Sequence, residues 1–124
     1  MMKILWFLLL GGSFAASSSD MEYEDVLQLV TDKQYVYDKA ITISGFLKTS
    51  NTGFGVFNYL YGSADELNKG SLTDVILVSG QSVDGKYIFM GACNRHSVVI
   101  KGLLSIQPNV PAVIYNVEYI QVAD

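Results

Sequence analysis

From Tyr35 onward the apolar residues recur at every second position, and that period limits what the chain can build. Ile41, Ile43 and Leu47 alternate with Thr42, Ser44 and Lys48. Phe57, Tyr59 and Tyr61 alternate with Val56, Asn58 and Leu60, and Val98, Ile100 and Leu104 with Val99, Lys101 and Leu103. Successive side chains leave a strand on opposite faces, so these runs are strands with at least one face covered. Residues 75–78 form a third, shorter apolar run, and Val113, Tyr115 and Val117 open a last strand. The parity of that strand then slips to Ile120 and Val122, which predicts a β-bulge near Glu118. Asn51-Thr52-Gly53, residues 80–85 and the stretch between Pro108 and Pro111 are turns or loops; residues 86–90 fit strand or helix equally.

Two elements depart from this period. Tyr23, Leu27 and Val30 recur at spacings of four and three, with Val26 and Leu29 beside them, which predicts an amphipathic helix over residues 21–31. Ser19 and Glu22 have the spacing of a capping box ahead of it. Residues 64–68 form a short helical turn between the second and third strands, with Asp65 and Glu66 at its positive end. Five strands in a flat antiparallel sheet leave exposed edges, and closure removes them. Gly45 and Gly102, each inside a strand, supply the bends that closure needs. The expected fold is therefore mainly β: a five-stranded OB-like barrel over residues 16–124, with an amino-terminal helix and a short helix between strands two and three.

The first residues have a different character. Lys3 precedes an unbroken apolar run over residues 4–10, and Ser13-Phe14-Ala15 places small residues three before and one before a cut after Ala15. This is the layout of a cleaved secretory signal peptide, residues 1–15. The run is shorter than the roughly 20 apolar residues a membrane-crossing helix needs. The expected location is a periplasm or the extracellular medium, with no membrane insertion after cleavage.

Without Lys3, 7 of the 8 basic residues remain against 12 acidic ones, a formal charge of −5. The basic residues are scattered, whereas phosphate backbones are held by clustered Lys and Arg, so nucleic acid is disfavoured as a partner. A single cysteine, Cys93, excludes an internal disulfide, and burial is the expected state of such a thiol.

Three segments resemble small exported bacterial OB-fold proteins of unassigned function. Residues 37–47, Tyr-Asp-Lys-Ala-Ile-Thr-Ile-Ser-Gly-Phe-Leu, are similar to their Y-D-G-K-x-V-x-V-x-G-Y-L opening strand. Tyr59-Leu60-Tyr61-Gly62-Ser63-Ala64-Asp65 is similar to their L-Y-L-S-x-E-D passage from strand to helix, and Cys93 to Gly102 to their C-x-x-x-x-V-x-V-x-G fourth strand. The chain departs from the pattern at Lys39-Ala40, where Gly-Lys is usual, and in a longer stretch over residues 82–90. The resemblance implies a fold and carries no catalytic residue. Bacterial OB-fold periplasmic stress proteins share only architecture and export with this expectation.

The candidate chemistry is thin. Cys93 and His96 stand three apart, either as a thiol nucleophile with its base or as half a metal site. A thiol enzyme also needs a third group to orient the base, and a structural zinc needs four ligands. With one Cys and one His in the chain, the sequence gives no ground for a metal or a cofactor. Asp65 and Glu66 are adjacent and diverge on a helix, and no phosphate-binding loop or hydrolase motif is present.

Aromatic residues are the fuller signal. OB barrels bind ligands across the face of their second and third strands. Phe57, Tyr59 and Tyr61 share one face of the second strand, which is either part of the core or an outward stacking platform. Lys48 and Arg95 are the polar residues expected to help. The expected function is a non-catalytic binding module for a protein, peptide or saccharide, with inhibitory and stress-related roles among the options. The alternatives are a small Cys93–His96 hydrolase or thiol enzyme and a single-stranded nucleic-acid binder.

Overall fold

The computed structural model describes residues 19–82, 84–88 and 90–123. The expected leader, residues 1–15 with its cut after Ala15, lies outside them. Six strands and two helices follow in the order β1 (Ser19–Met21), α1 (Tyr23–Thr31), β2 (Val36–Asn51), β3 (Val56–Tyr61), α2 (Ala64–Lys69), β4 (Ile76–Val78), β5 (Ser97–Ile106) and β6 (Val113–Val122). A 3-10 turn, Gly91–Cys93, precedes β5. No described helix is long and apolar enough to cross a membrane.

The fold is organised around β2. Its first part pairs antiparallel with β5, from Val36 opposite Ile106 to Phe46 opposite Ser97, and its second part pairs with β3, from Phe46 opposite Tyr61 to Asn51 opposite Val56. β3 continues to β4, β4 pairs in parallel with β6 at Leu77–Val113 and Val78–Ile114, and β6 returns to β5. The pairing thus comes back to β2 and closes the sheet partly into a ring. The β4–β6 seam is the thinnest part of it, two residue pairs long.

In the middle of β2 the odd-numbered residues face the interior: Ile41, Ile43 and Leu47 are buried, as are Leu60 and Ile76 across the sheet and Val98, Ile100 and Leu104 on β5. The period-two alternation expected from the sequence therefore holds on all three strands. Gly45 and Gly102 also sit on the inward face. A Cβ on Gly45 would lie 2.7 Å from the Tyr61 carbonyl oxygen and 2.8 Å from Leu60, and one on Gly102 would lie 2.9 Å from Ile114. Neither glycine is there for its φ; each lets two strands approach more closely than a side chain allows. The expected bulge is present: Lys101 faces Tyr119 but Leu103 faces Tyr115, and Asn116 takes a φ of 48° within the extra residues. Val117 turns inward there and is fully buried.

The amino-terminal expectation needs correcting. Ser19 does not cap α1. It begins β1, which pairs in parallel with Ile41–Ile43 of β2, because sheet hydrogen bonds on the open edge of β2 are available to that segment. The helix starts two residues later than expected, at Tyr23, with Glu22 as its cap residue. The Asp25 carboxylate accepts from the Glu22 backbone N–H at 3.3 Å, so the reciprocal arm of a capping box is formed three residues further on than expected.

Tyr23 fastens α1 to the sheet. Its ring is 6% exposed, and its hydroxyl lies 2.7 Å from the Leu60 carbonyl oxygen and 2.8 Å from that of Asp74. The one hydroxyl proton bridges two carbonyls that a phenyl ring leaves unserved. Burial, with the nearby Asp74 charge, pushes the hydroxyl well above its ordinary value of 10.0.

Two outcomes are expected. Gly45→Ala forces strands apart and destabilises by about 2 kcal/mol, lowering Tm by roughly 8–16 °C. Tyr23→Phe costs about 1–3 kcal/mol at neutral pH through the two abandoned carbonyls. Because the raised hydroxyl holds its proton longer folded than unfolded, its contribution is complete below pH 10.0 and fades as pH climbs through the folded value. Urea denaturation between pH 9 and 11 should show the wild type losing stability more steeply than Tyr23→Phe.

Candidate binding face

Even-numbered residues of β2 and odd-numbered residues of β3 point away from the core, so the register aligns the expected residues on one outer surface. Tyr59 sits opposite Lys48 on one side and Leu77 on the other, while Phe57 faces Ser50 and Tyr61 faces Phe46. The open question of core or platform resolves residue by residue along the strand. Phe57 is 44% exposed and Tyr59 half-buried. Tyr61 is 2% exposed, covered by Leu67 of α2 and by Val75 in a small second cluster outside the main core. Tyr61 therefore shares the outer face but is not available to a ligand. Burial, and secondarily Tyr59, raises its hydroxyl above the ordinary range.

The rings of Phe57 and Tyr59 are stacked, 6.5 Å apart between centroids with 19° between their planes, inside the range for favourable aromatic pairs. A groove of about 280 Å³ runs beside Phe57, lined also by Val56, Leu77, Ser79 and Val113. Phe54, in the turn between β2 and β3, is 98% exposed.

Arg95 reaches this surface through a loop that continues the ladder of β2. Its N–H donates to the Leu47 carbonyl at 2.6 Å, Leu47 donates to the His96 carbonyl at 3.1 Å, and Thr49 donates to the Asn94 side-chain oxygen at 2.8 Å. Lys48 lies between the two anchored positions. Arg95 has a φ of 66°, an uncommon conformation for a long side chain that these bonds maintain. Its guanidinium donates to the Asn68 side-chain oxygen of α2 at 2.6 Å. Lys48 approaches the same helix end, its ammonium 3.6 Å from where a side chain on Gly70 would begin.

α2 has the expected place and a clear local origin. The Ser63 hydroxyl accepts from the Glu66 N–H at 3.1 Å, Asp65 and Glu66 stand in the first turn, and Gly70 ends the helix with a φ of 68°. Leu67 lays the helix across Tyr61. The helix end thereby comes to rest over the outer face, beside Lys48 and Arg95.

Four of the five expected site residues thus gather: Phe57, Tyr59, Lys48 and Arg95. Asn68 and Leu77 join them without having been expected. Leu77 was within reach of the alternation, given the β3–β4 register. Asn68 is 27 residues from Arg95 and left no trace in the sequence.

Cys93 and His96 adjoin this loop. Cys93 is half-buried and not fully buried as expected, and burial pushes its thiol above the ordinary value, the opposite of the shift a thiolate nucleophile needs. Among the described residues, no three His, Cys, Asp or Glu side chains come together as a metal cluster. A separate cleft of about 550 Å³ lies elsewhere, between β1, the start of α1 and β2, with Asp20, Glu22 and Glu24 among its lining.

No family model, curated protein or solved structure matches the chain.

Tyr61→Ala should cost about 3–5 kcal/mol, in line with emptying a buried aromatic site, whereas Phe57→Ala should stay within about 1 kcal/mol. Urea midpoints of the two variants check the division of one strand face into a covered and an open part.

Proposed function

We propose that this chain is an exported, non-catalytic binding module on a five-stranded OB-type barrel, taking its ligand on the outer face of β2 and β3. The observation that carries the reading is the Phe57–Tyr59 pair, turned outward beside Lys48 with Arg95 brought to the same corner. The pairing order of β2 through β6, with its one parallel contact between β4 and β6, supports the barrel. The three strand and turn segments that resemble exported OB-fold proteins support it too. The apolar run behind Lys3 supports export.

Chemically, the face offers what small recognition sites use: flat apolar rings for contact area and a few placed polar groups for orientation. The raised Cys93 thiol weighs against the thiol-enzyme alternative. The net charge of −4 weighs against a phosphate backbone.

Titrating the protein with neutral and charged oligosaccharides and short peptides, followed by amide NMR shifts, tests the reading. The amides of Lys48, Phe57 and Tyr59 should move together, and Tyr59→Ala should weaken the response about tenfold or more while Tm stays nearly constant. Shifts confined to the acidic cleft at Asp20 and Glu24 would contradict it.

A further inference from the structure

We infer that Lys48 and Arg95, at the end of α2, hold the anionic group of a saccharide whose ring lies on Tyr59 and Phe57; this rests on the binding face proposed above. The described cations differ in their partners. Lys69 is paired with Glu66 at 3.5 Å and Lys101 with Glu118 at 2.9 Å. Among the described residues, no carboxylate pairs with Lys48 or Arg95. Arg95 instead takes a neutral amide oxygen, that of Asn68, which orients the guanidinium and leaves its positive charge uncompensated. A guanidinium has further N–H donors in a fixed fork that matches carboxylate, sulfate or phosphate. In a chain of net charge −4, two cations without carboxylate partners beside an outward aromatic pair are a local inversion of sign. Such an inversion favours an anionic ligand.

The geometry favours a saccharide over a peptide. Extended peptides most often add to a free strand edge, but Tyr59 is already flanked by Lys48 and by Leu77. What it offers is its ring. The Tyr59 and Phe57 rings lie nearly parallel, 6.5 Å apart between centroids, and an aromatic ring face is a match for the C–H face of a sugar. Asn68 is then a positioning residue: it sets the guanidinium and does not itself reach the ligand.

The charge on the sugar is a carboxylate or a sulfate, and four hexamers separate these options: galacturonate, sulfated galactose, neutral galactose and glutamate. Amide NMR titration of the purified protein should show at least one charged sugar moving Lys48, Tyr59 and Arg95, about tenfold tighter than neutral galactose. Whichever charged hexamer responds identifies the anion. Lys48→Gln and Arg95→Gln should each weaken that binding about fivefold or more with Tm unchanged. Asn68→Ala should weaken charged but not neutral sugar. Equal binding of the neutral hexamer at this face would overturn the anion corner while leaving the binding face intact. Hexaglutamate binding as tightly as the charged sugars would overturn the saccharide. No response from any of the four at these residues would overturn the inference outright.

Discussion

The structure depends on how β2 is shared. Sixteen residues long, it gives its first part to β5 and its last part to β3, and its outer edge also takes β1. The two pairings meet at Phe46, opposite both Tyr61 and Ser97, and beside it Gly45 lets the β3 backbone close in. Gly102 does the corresponding work where β5 meets the bulge of β6. With those two contacts in place, the interior is filled mainly by Ile, Leu and Val side chains, joined by Tyr23, Met90 and Ala112. These close approaches allow the sheet to come partly round into a ring.

The outer face follows from the same constraint. Once Leu47 and Leu60 are committed inward, Lys48 and Tyr59 have only the outside to occupy. Covering that face is the task of α2, and at six residues it is too short to finish it. It shelters Tyr61 and stops at Gly70, leaving Tyr59 half-covered and Phe57 open. The loop carrying Arg95 then hydrogen-bonds along β2 and brings a cation to the point where the helix ends. The candidate site is thus the uncovered remainder of a sheet face, defined as much by where α2 terminates as by the residues on the strands.

Much of this was legible in the sequence because period-two patterning reports directly on which side of a sheet a residue lies. Val98, Ile100 and Leu104 announced their burial, and the slip from Val117 to Ile120 announced the bulge. Patterning says nothing, however, about what lies over an outward face. That Tyr61 is covered and Phe57 is not depends on Leu67, a contact between elements. The same limit hid the Arg95–Asn68 bond, which joins a loop to a helix across the fold. At the amino terminus the error was of another kind. The S-x-x-E spacing at Ser19 is a local signal, and it lost to a non-local one, the edge of β2 available to residues 19–21. Cys93 was misplaced for a related reason: a lone thiol resembles a small core residue by composition, but here it sits in a short turn at the margin of the core.

The central claim is that the Tyr59 ring lies outside the sheet, next to Lys48 and Leu77. A nuclear Overhauser spectrum of the folded protein tests it most directly. The ring protons of Tyr59 should give cross-peaks to the Lys48 methylenes, the Leu77 methyls and the Phe57 ring. Cross-peaks from that ring to Ile43, Ile100 or Leu104 would place it in the core and remove the face on which the proposed function stands.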